Sequence, residues 1–562
     1  MVILDTKKAE GWLKLGIGLV LLLWLNMLAN HFFFRMDLTE EKRFTIKEPT
    51  KKLLAELEDV VYIEVFLEGA LNPGFKRMRK SIAETLEEFS IYSNNKVQYT
   101  FTDPTRAVSE RGRNEYYSNL ARKGVTPTTV FENVNGSRQQ KLIFPGAVIT
   151  YGSKESGVML LKGNSQGTAQ EKINQSIELL EFELANKIDL LVHTDKKRIG
   201  YVVGHGEPDS IEIAAFTNLL LEKYLVNKLD LDGKKRIEGY EALVIAKPVR
   251  SFSEQEKYKL DQFIMNGGKV AFFLDAMDAN MDSIGMDTNL SIPYELGLDD
   301  LLFKYGIRLN KELVQDQNAA PHPVVTGMSG GQPQINLLPW PYYPLINNFG
   351  SHTAVKNLDA IMLKFVCSMD TVAVGGILKT PILLTSNYSR TVPSPANVSM
   401  NMLRKELTPE KFNRQHIPVG YFLEGAFTSL YKNRFLPEGI RDENRREEGV
   451  DTKIVVVADG DLVKNAVNPK TGQPYQLGYD PYAQMAYGNE DLMMNLFSYL
   501  LDDEGIIVSR TKEVKIRPLD KVKIVEERLF WQVLNMVLPL LVLGLFGVLK
   551  YQLRKRKFVV KK

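Results

Sequence analysis

The pattern of apolar and polar positions separates the two ends of the chain from its middle. From Leu15 to Phe34 (LGIGLVLLLWLNMLANHFFF) and from Leu529 to Leu549 (LFWQVLNMVLPLLVLGLFGVL) no side chain carries a formal charge, His31 counted as neutral. As helices, both runs are long enough to cross a hydrocarbon layer of about 30 Å. Pro539 is compatible with such a helix, because neighbouring groups satisfy the backbone it frees. Between the runs the period shortens and alternates. VVYIEVFL (Val60–Leu67) and KVQYTFT (Lys96–Thr102) read as strands. Phe75, Met78, Ile82, Leu86 and Phe89 lie between them at three- and four-residue steps, which predicts one buried helix face. That order implies a parallel crossover. Strand-like segments TTVFENV, QQKLIFP and AVITYG follow, then an amphipathic helix through Ile173, Ile177, Leu180, Leu184 and Ile188.

The order of these elements, with Pro127 before a strand at the place of a cis-proline, is similar to a thioredoxin-like fold. The segment that would carry its redox cysteines reads EGALNPGF and has none, which excludes that chemistry. From Lys197 the pattern alternates again. RIGYVV is a strand, Ser210 to Tyr224 a helix, and YEALVIAKP a strand. A helix follows, opened by the capping box SEQE at Ser253 and closed by the glycines of NGG. KVAFFLD, TPILLTS and KIVVVADGD then read as buried strands and NEDLMMNLFSYLL as a helix. The alternation predicts a doubly wound parallel sheet, flavodoxin-like or glutamine-amidotransferase-like. Residues 280–375 and 387–450 read as irregular insertions.

The expected class is therefore α/β, with two membrane spans. The expected segments are 1–34 (cytoplasmic N-terminus and first span), 35–195 (thioredoxin-like domain), 196–510 (doubly wound domain), 511–528 (connector), 529–549 (second span) and 550–562 (basic tail).

Charge changes the picture only through its distribution. The net charge of +3 over 562 residues is unremarkable. Lys550, Arg554, Lys555, Arg556, Lys557, Lys561 and Lys562 follow the second span without an acid among them, and Lys7, Lys8 and Lys14 precede the first. By the positive-inside bias both termini are expected to be cytoplasmic with residues 35–528 on the far side of the membrane, and a single cysteine in so long an exported chain fits the periplasm beyond a bacterial inner membrane. The basic tail abuts a span, so a nucleic-acid partner is not expected; the bilayer is. No small-residue cleavage site follows the first run, which reads as an uncleaved anchor. The one cysteine, Cys367, allows no internal disulfide and no cysteine metal cluster.

Candidate chemistry gathers at strand exits. His205, Glu207, Asp275, Asp459 and Asp461 all fall where a doubly wound sheet binds ligands, and carboxylates beside a histidine suit acid–base work. Turn chemistry explains the same residues more simply. Pro208 fits a turn, Asp209 or Ser210 can cap the next helix, and Glu212 completes a capping box. GMSGG matches the nucleophile-elbow pattern around Ser329, but QPQINLLPWP follows it where a helix is needed. Neither a P-loop nor HExxH occurs. Trp340, Tyr342 and Tyr343 in NLLPWPYYPLINN form a candidate docking surface. No metal and no cofactor is expected.

Three motifs carry a family resemblance: RMDLTEEKRFT after the first span, RIGYVVGHGEPD, and IRPLDKVKIVEERLFWQ before the second. Together they are similar to GldG, the gliding-motility ABC transporter component of Bacteroidota, along essentially the whole chain. The resemblance implies a non-catalytic, substrate-binding-like auxiliary subunit working with a separate ABC ATPase, a multi-span permease and other periplasmic motility or secretion proteins. It supplies no catalytic residue. The alternative from the residues themselves is a membrane-anchored hydrolase using His205, Glu207 and Asp459.

Overall fold

The computed structural model describes residues 6–31, 45–106, 110–134, 137–163, 167–193, 195–281, 289–329, 332–404, 408–502, 505–511 and 526–559. Two units are distinguished, Met1–Glu513 and Val514–Lys562.

The first unit begins with α1 (Thr6–His31), which holds the first apolar run as far as His31, and α2 (Glu48–Ala55). β1 (Val61–Val65), α3 (Pro73–Tyr92) and β2 (Val97–Phe101) then form the predicted crossover, with β1 and β2 parallel. The start of α3 is set locally: Asn72 Oδ1 accepts the Phe75 N–H at 3.0 Å, and Pro73 takes the first helical position. Phe75, Met78, Ile82, Leu86 and Phe89 are all buried. After α4 (Glu110–Arg122), β3 (Thr128–Val134) and β4 (Ser137–Ile143) pair as a separate hairpin. β5 (Gly146–Tyr151) and β6 (Lys154–Met159) complete a sheet of order β2-β1-β5-β6, in which β5 is antiparallel to both neighbours. Pro127 therefore precedes a hairpin strand, outside this sheet, and among the described residues only Ser394–Pro395 is cis. Pro145 is the proline before β5. α5 (Ala169–Val192) starts with a complete capping box of Thr168 and Glu171. Its stripe buries Ile173, Leu180, Leu184 and Ile188, with Ile177 half-buried at the margin.

β7 (Arg198–Val203), α6 (Ala214–Lys223), β8 (Leu225–Asp230), β9 (Ala242–Ala246), α7 (Glu254–Met265) and β10 (Lys269–Phe273) follow. α6 starts four residues later than expected. Ser210 is not a cap: its Oγ accepts from Lys228 Nζ, and residues 210–213 form a turn in which Glu212 binds the Asp209 N–H. Then come β11 (Asn289–Ser291), α8 (Asp299–Tyr305), β12 (Ile307–Asp316), β13 (Ala319–Ser329), β14 (Gln332–Ile346), β15 (Asn348–Phe349), β16 (Ile361–Met362) and β17 (Cys367–Thr371). Further elements of the first unit are β18 (Ile377–Leu384), β19 (Ser389–Pro393), β20 (Ala396–Val398), β21 (Pro418–Thr428), β22 (Glu448–Val457) and α9 (Asn489–Leu501), and the second unit holds the helix Arg528–Val559.

The large sheet runs β15-β18-β21-β22-β10-β9-β7-β8. It is parallel from β22 to β8, as the alternation predicts, but β15, β18 and β21 join antiparallel, so the sheet is mixed. Winding reverses at β7, which has β8 on one flank and β9 on the other. The loops after β7 and β9 thus border the switch point, where such sheets open. The stretches read as irregular contain the small sheets β17-β12-β19, β13-β14-β16 and β11-β20. Prolines that argue against a central strand are tolerated in β14 because Pro333, Pro339 and Pro341 lie where it pairs with β13 alone, before β16 joins at Leu345 and Ile346. The GMSGG serine, Ser329, ends β13 of a hairpin, so no strand-to-helix elbow forms there.

Most buried apolar side chains from Ile46 to Ile507 make one continuous cluster, with Phe66, Leu120, Val125, Phe144 and Val148 forming a second, so the two α/β blocks share an interior. In the second unit, residues Arg528–Arg556 are long and apolar enough to cross a membrane by length and composition, while Gly11–Met27 is a shorter apolar stretch. Residues 35–44 of the first motif and 512–525 of the connector lie outside the described residues.

Candidate functional site

The predicted site residues fall into two groups held by different partners. After β7, Gly204 and Gly206 both take positive φ (121° and 80°) and fold the chain so that His205 turns inward. Its ring is buried and stacks on Phe252, with centroids 3.6 Å apart and planes 12° from parallel. His205 Nδ1 lies 3.2 Å from Glu207 Oε1, and Nε2 lies 3.2 Å from Glu256 Oε1. The second oxygen of Glu207 accepts the Gly204 and His205 N–H groups at 3.0 and 2.9 Å. Both ring nitrogens and the backbone around them are thereby engaged. Burial alone would lower the His205 pKa, but the hydrogen bond to Glu207 and the charge of Glu256 outweigh it and raise it. Burial would raise Glu256, yet its bonds to Ser253 and its pairing with His205 hold it below the usual carboxylate range. Glu256 is also half of the α7 capping box, whose two reciprocal bonds both form. One carboxylate thus caps a helix and neutralises a buried histidine.

The second group sits at the exits of β9, β10 and β22 around a residue that the sequence reading missed, Lys247. Its ammonium lies 2.5 Å from Asp275 Oδ2 and 2.8 Å from Asp461 Oδ2. Asp275 Oδ1 accepts the Gly460 N–H at 2.6 Å. Asp459 accepts N–H groups of Asp461, Leu462 and Lys364 at 2.7, 3.2 and 2.7 Å. Burial would lower the Lys247 pKa, but Asp275 and Asp461 drive it well above normal. Burial raises Asp275 and, helped by Asp461 and Asp275, Asp459, whereas the charges of Lys247 and Lys364 outweigh burial and lower Asp461. A lysine directly after the buried strand ALVIA was the available signal for it.

Chemically, these are saturated arrangements. The second group is an ionic clasp that fixes three strand ends, with acceptors filled by an ammonium and backbone amides. No cluster of His, Cys, Asp or Glu suited to a metal ion occurs among the described residues. Trp340, Tyr342 and Tyr343, expected as a docking surface, are 0%, 1% and 8% exposed. They pack inward at the base of the β13–β14 ribbon, where Tyr343 neighbours Asp461 and Asp459. A cavity of about 720 Å³ lies elsewhere, lined by Asp300, Phe303, Lys304, Arg308 and Arg434 among others, and includes none of the predicted residues.

Comparison with known proteins adds family membership. Residues 40–150 match a domain of unknown function, DUF7088. An uncharacterized protein of Borreliella burgdorferi is 23% identical over 97% of this chain and 98% of its own length. Among solved structures, the mmIFT52 N-terminal domain is 13% identical, with a TM-score of 0.31 over 54% of this chain and 97% of its own. A protein described as ThuA-like from Parabacteroides merdae is 10% identical, with a TM-score of 0.26 over 58% and 94%. At these scores neither defines the fold. Residues 196–496, more than half of the chain, match the model described as an ABC-type uncharacterized transport system, and the protein belongs to this family of ABC transport auxiliary components.

Proposed function

We propose that the chain is a non-catalytic auxiliary subunit that couples the membrane part of an ABC-type complex to a two-domain body held outside the membrane. The observation that carries this reading lies on α5. Glu181 is buried and accepts the Lys47 N–H at 2.6 Å and the Thr50 hydroxyl at 2.9 Å, which fixes α2, the segment arriving from the first apolar helix. The next two residues hold the segment that departs toward the second. Arg510 lies over the Phe182 ring at 4.8 Å and 3.8 Å from Glu183. Adjacent residues of one helix therefore clasp both ends of the body.

In this reading both apolar helices are spans, both termini are cytoplasmic, and residues 35–528 are periplasmic. The sheet order β2-β1-β5-β6 supports a thioredoxin-like first domain, and the parallel order β8-β7-β9-β10-β22 supports a flavodoxin-like second. The partners are a separate ATPase and a multi-span permease, in gliding or related envelope machinery as in the GldG-type proteins it resembles. Coupling is favoured over solute reception because the carboxylates at the β10 and β22 exits are occupied by Lys247 and backbone amides. The hydrolase alternative draws no support, since His205 is sequestered by Glu207, Glu256 and Phe252 while Asp459 binds three backbone amides. The test is mild detergent purification of the tagged full chain from its own membrane, with mass spectrometry of what accompanies it. An ATPase and a permease at fixed ratio are expected; a chain that emerges alone in several detergents overturns the reading.

A further inference from the structure

From Gln317 to Val355 the chain contains no Asp, Glu, Lys or Arg, although a quarter of all its residues are charged. This stretch builds the β13–β14 hairpin. Cross-strand partners share a face of a ribbon, so the register sorts its side chains. Pro323 pairs with Leu337, Val325 with Ile335 and, past a bulge, Met328 with Pro333. All six fall on one face, and all are apolar. That face is uncovered: Val325, Met328, Ile335 and Leu337 are 40%, 71%, 61% and 51% exposed. The opposite face holds His322 and Val324, which are buried against the body, and further out Thr326, Gln334 and Asn336. The outer hairpin is thus an amphipathic ribbon with its apolar side turned to solvent.

Edges and faces are treated differently here. Pro321, Pro323, Pro333 and Pro339 remove N–H groups from the two strands, which blocks runaway edge-to-edge pairing. The apolar face has no such protection. Contiguous exposed apolar surface on a folded protein marks a contact. Six side chains on a two-stranded ribbon offer on the order of 400 Å², about half of what each partner contributes to a stable complex. Such a face is too small to capture a freely diffusing second copy. It suffices for a partner already confined to the same assembly, where effective concentration is high. A charge-free ribbon also matches only a surface without unpaired charge.

We propose that this face docks onto an apolar, uncharged surface of another subunit of the transport complex. The inference rests on the auxiliary-subunit reading above. The test uses the full chain in its native membrane, with the photoreactive residue benzoylphenylalanine placed at Met328, and separately at Phe131 and Phe435, which are 54% and 100% exposed. Irradiation is expected to join the Met328 probe, and neither control, to a transport subunit that co-purifies with the unaltered chain. The double variant Ile335→Lys/Leu337→Lys, on an exposed face, should keep its melting temperature and lose co-purification roughly tenfold or more. An adduct with a second copy of the chain, with lipid alone, or no adduct overturns the proposal, as does undiminished co-purification of the double variant. Those results leave the auxiliary-subunit reading standing, because co-purification by the unaltered chain reports on it separately. If the unaltered chain brings down no transport subunit, both fall.

Discussion

Lys247 Nζ stands 2.8 Å from Asp461 Oδ2 across residues 214 apart in sequence, and the same ammonium meets Asp275. Asp461 has a second cation, Lys464, 3.9 Å from its Oδ1, whereas Asp275 otherwise accepts the Gly460 N–H. Lys247→Met should therefore leave the buried Asp275 carboxylate without its counter-ion and cost about 3–5 kcal/mol. Adding Asp275→Asn should return part of the loss, because the uncompensated charge is the source of the cost. Thermal unfolding of the full chain in detergent micelles checks both. A Lys247→Met variant as stable as the parent would show that the clasp contributes nothing.

Gly460 is placed by the same clasp. A Cβ there would lie 2.7 Å from Lys247 Cβ and Cγ and 3.0 Å from its Cα. The backbone of Gly460 (φ −78°, ψ −21°) suits any residue, so a substitution tests close approach alone. Gly460→Ala is expected to cost about 1–3 kcal/mol through displaced backbone. Gly375→Ala, where nothing lies within 4 Å, should be close to neutral. The same melting measurement distinguishes them.

His205 gives a pH dependence whose sign follows from its raised pKa. The folded state holds the proton more tightly than the unfolded chain, in which histidine titrates near pH 6.5. Its stabilisation is complete below that value and is lost as pH rises through the folded-state pKa. Glu256 is lowered, so its contribution is present above the unfolded value of about 4.3 and disappears as pH falls through the folded one. The pair should be strongest between roughly pH 4.5 and 6.5. In His205→Gln the decline in stability from pH 6 to 8 should flatten. A decline of equal slope in variant and parent would assign it to other groups.

Local periodicity made much of the fold legible. The stripes of α3 and α5, the Ser253 capping box and the parallel strands from β7 to β10 all follow from spacing that short-range sterics impose. What escaped was set by distant contacts. β21 is an ordinary apolar strand, and only its pairing with β22 makes it antiparallel. The prolines of β14 read as irregular because nothing local announces that these positions pair with β13 alone. The site reading grouped His205 with Asp459 because both leave strands, whereas side-chain packing divides them: Phe252 and Glu256 claim the histidine, and Lys364 and Leu462 amides claim the aspartate. Tyr343 and its neighbours were judged by composition, and an aromatic run is as suited to an interior as to a surface.

The clasp on α5 yields the most direct test of coupling. Arg510 is 2% exposed, and besides Phe182 and Glu183 its guanidinium donates to the Lys356 carbonyl at 2.6 Å. Arg510→Met keeps the apolar stem but removes the donor and leaves Glu183 with less compensating charge, so the segment Ile506–Thr511 should detach locally before the core unfolds. Arg510→Lys retains the charge without the planar group that lies over Phe182, and should be intermediate. Limited proteolysis of the full chain in native membranes reads this as faster cleavage between residues 505 and 513, with the core fragments unchanged in size. Glu181→Gln weakens the acceptor for Lys47 and Thr50, and should expose residues 45–50 in the same assay. If the helix joins the two ends, as its geometry indicates, each variant should also loosen the opposite end. Cleavage confined to the altered end would mean that α5 holds the two segments independently and transmits nothing between them.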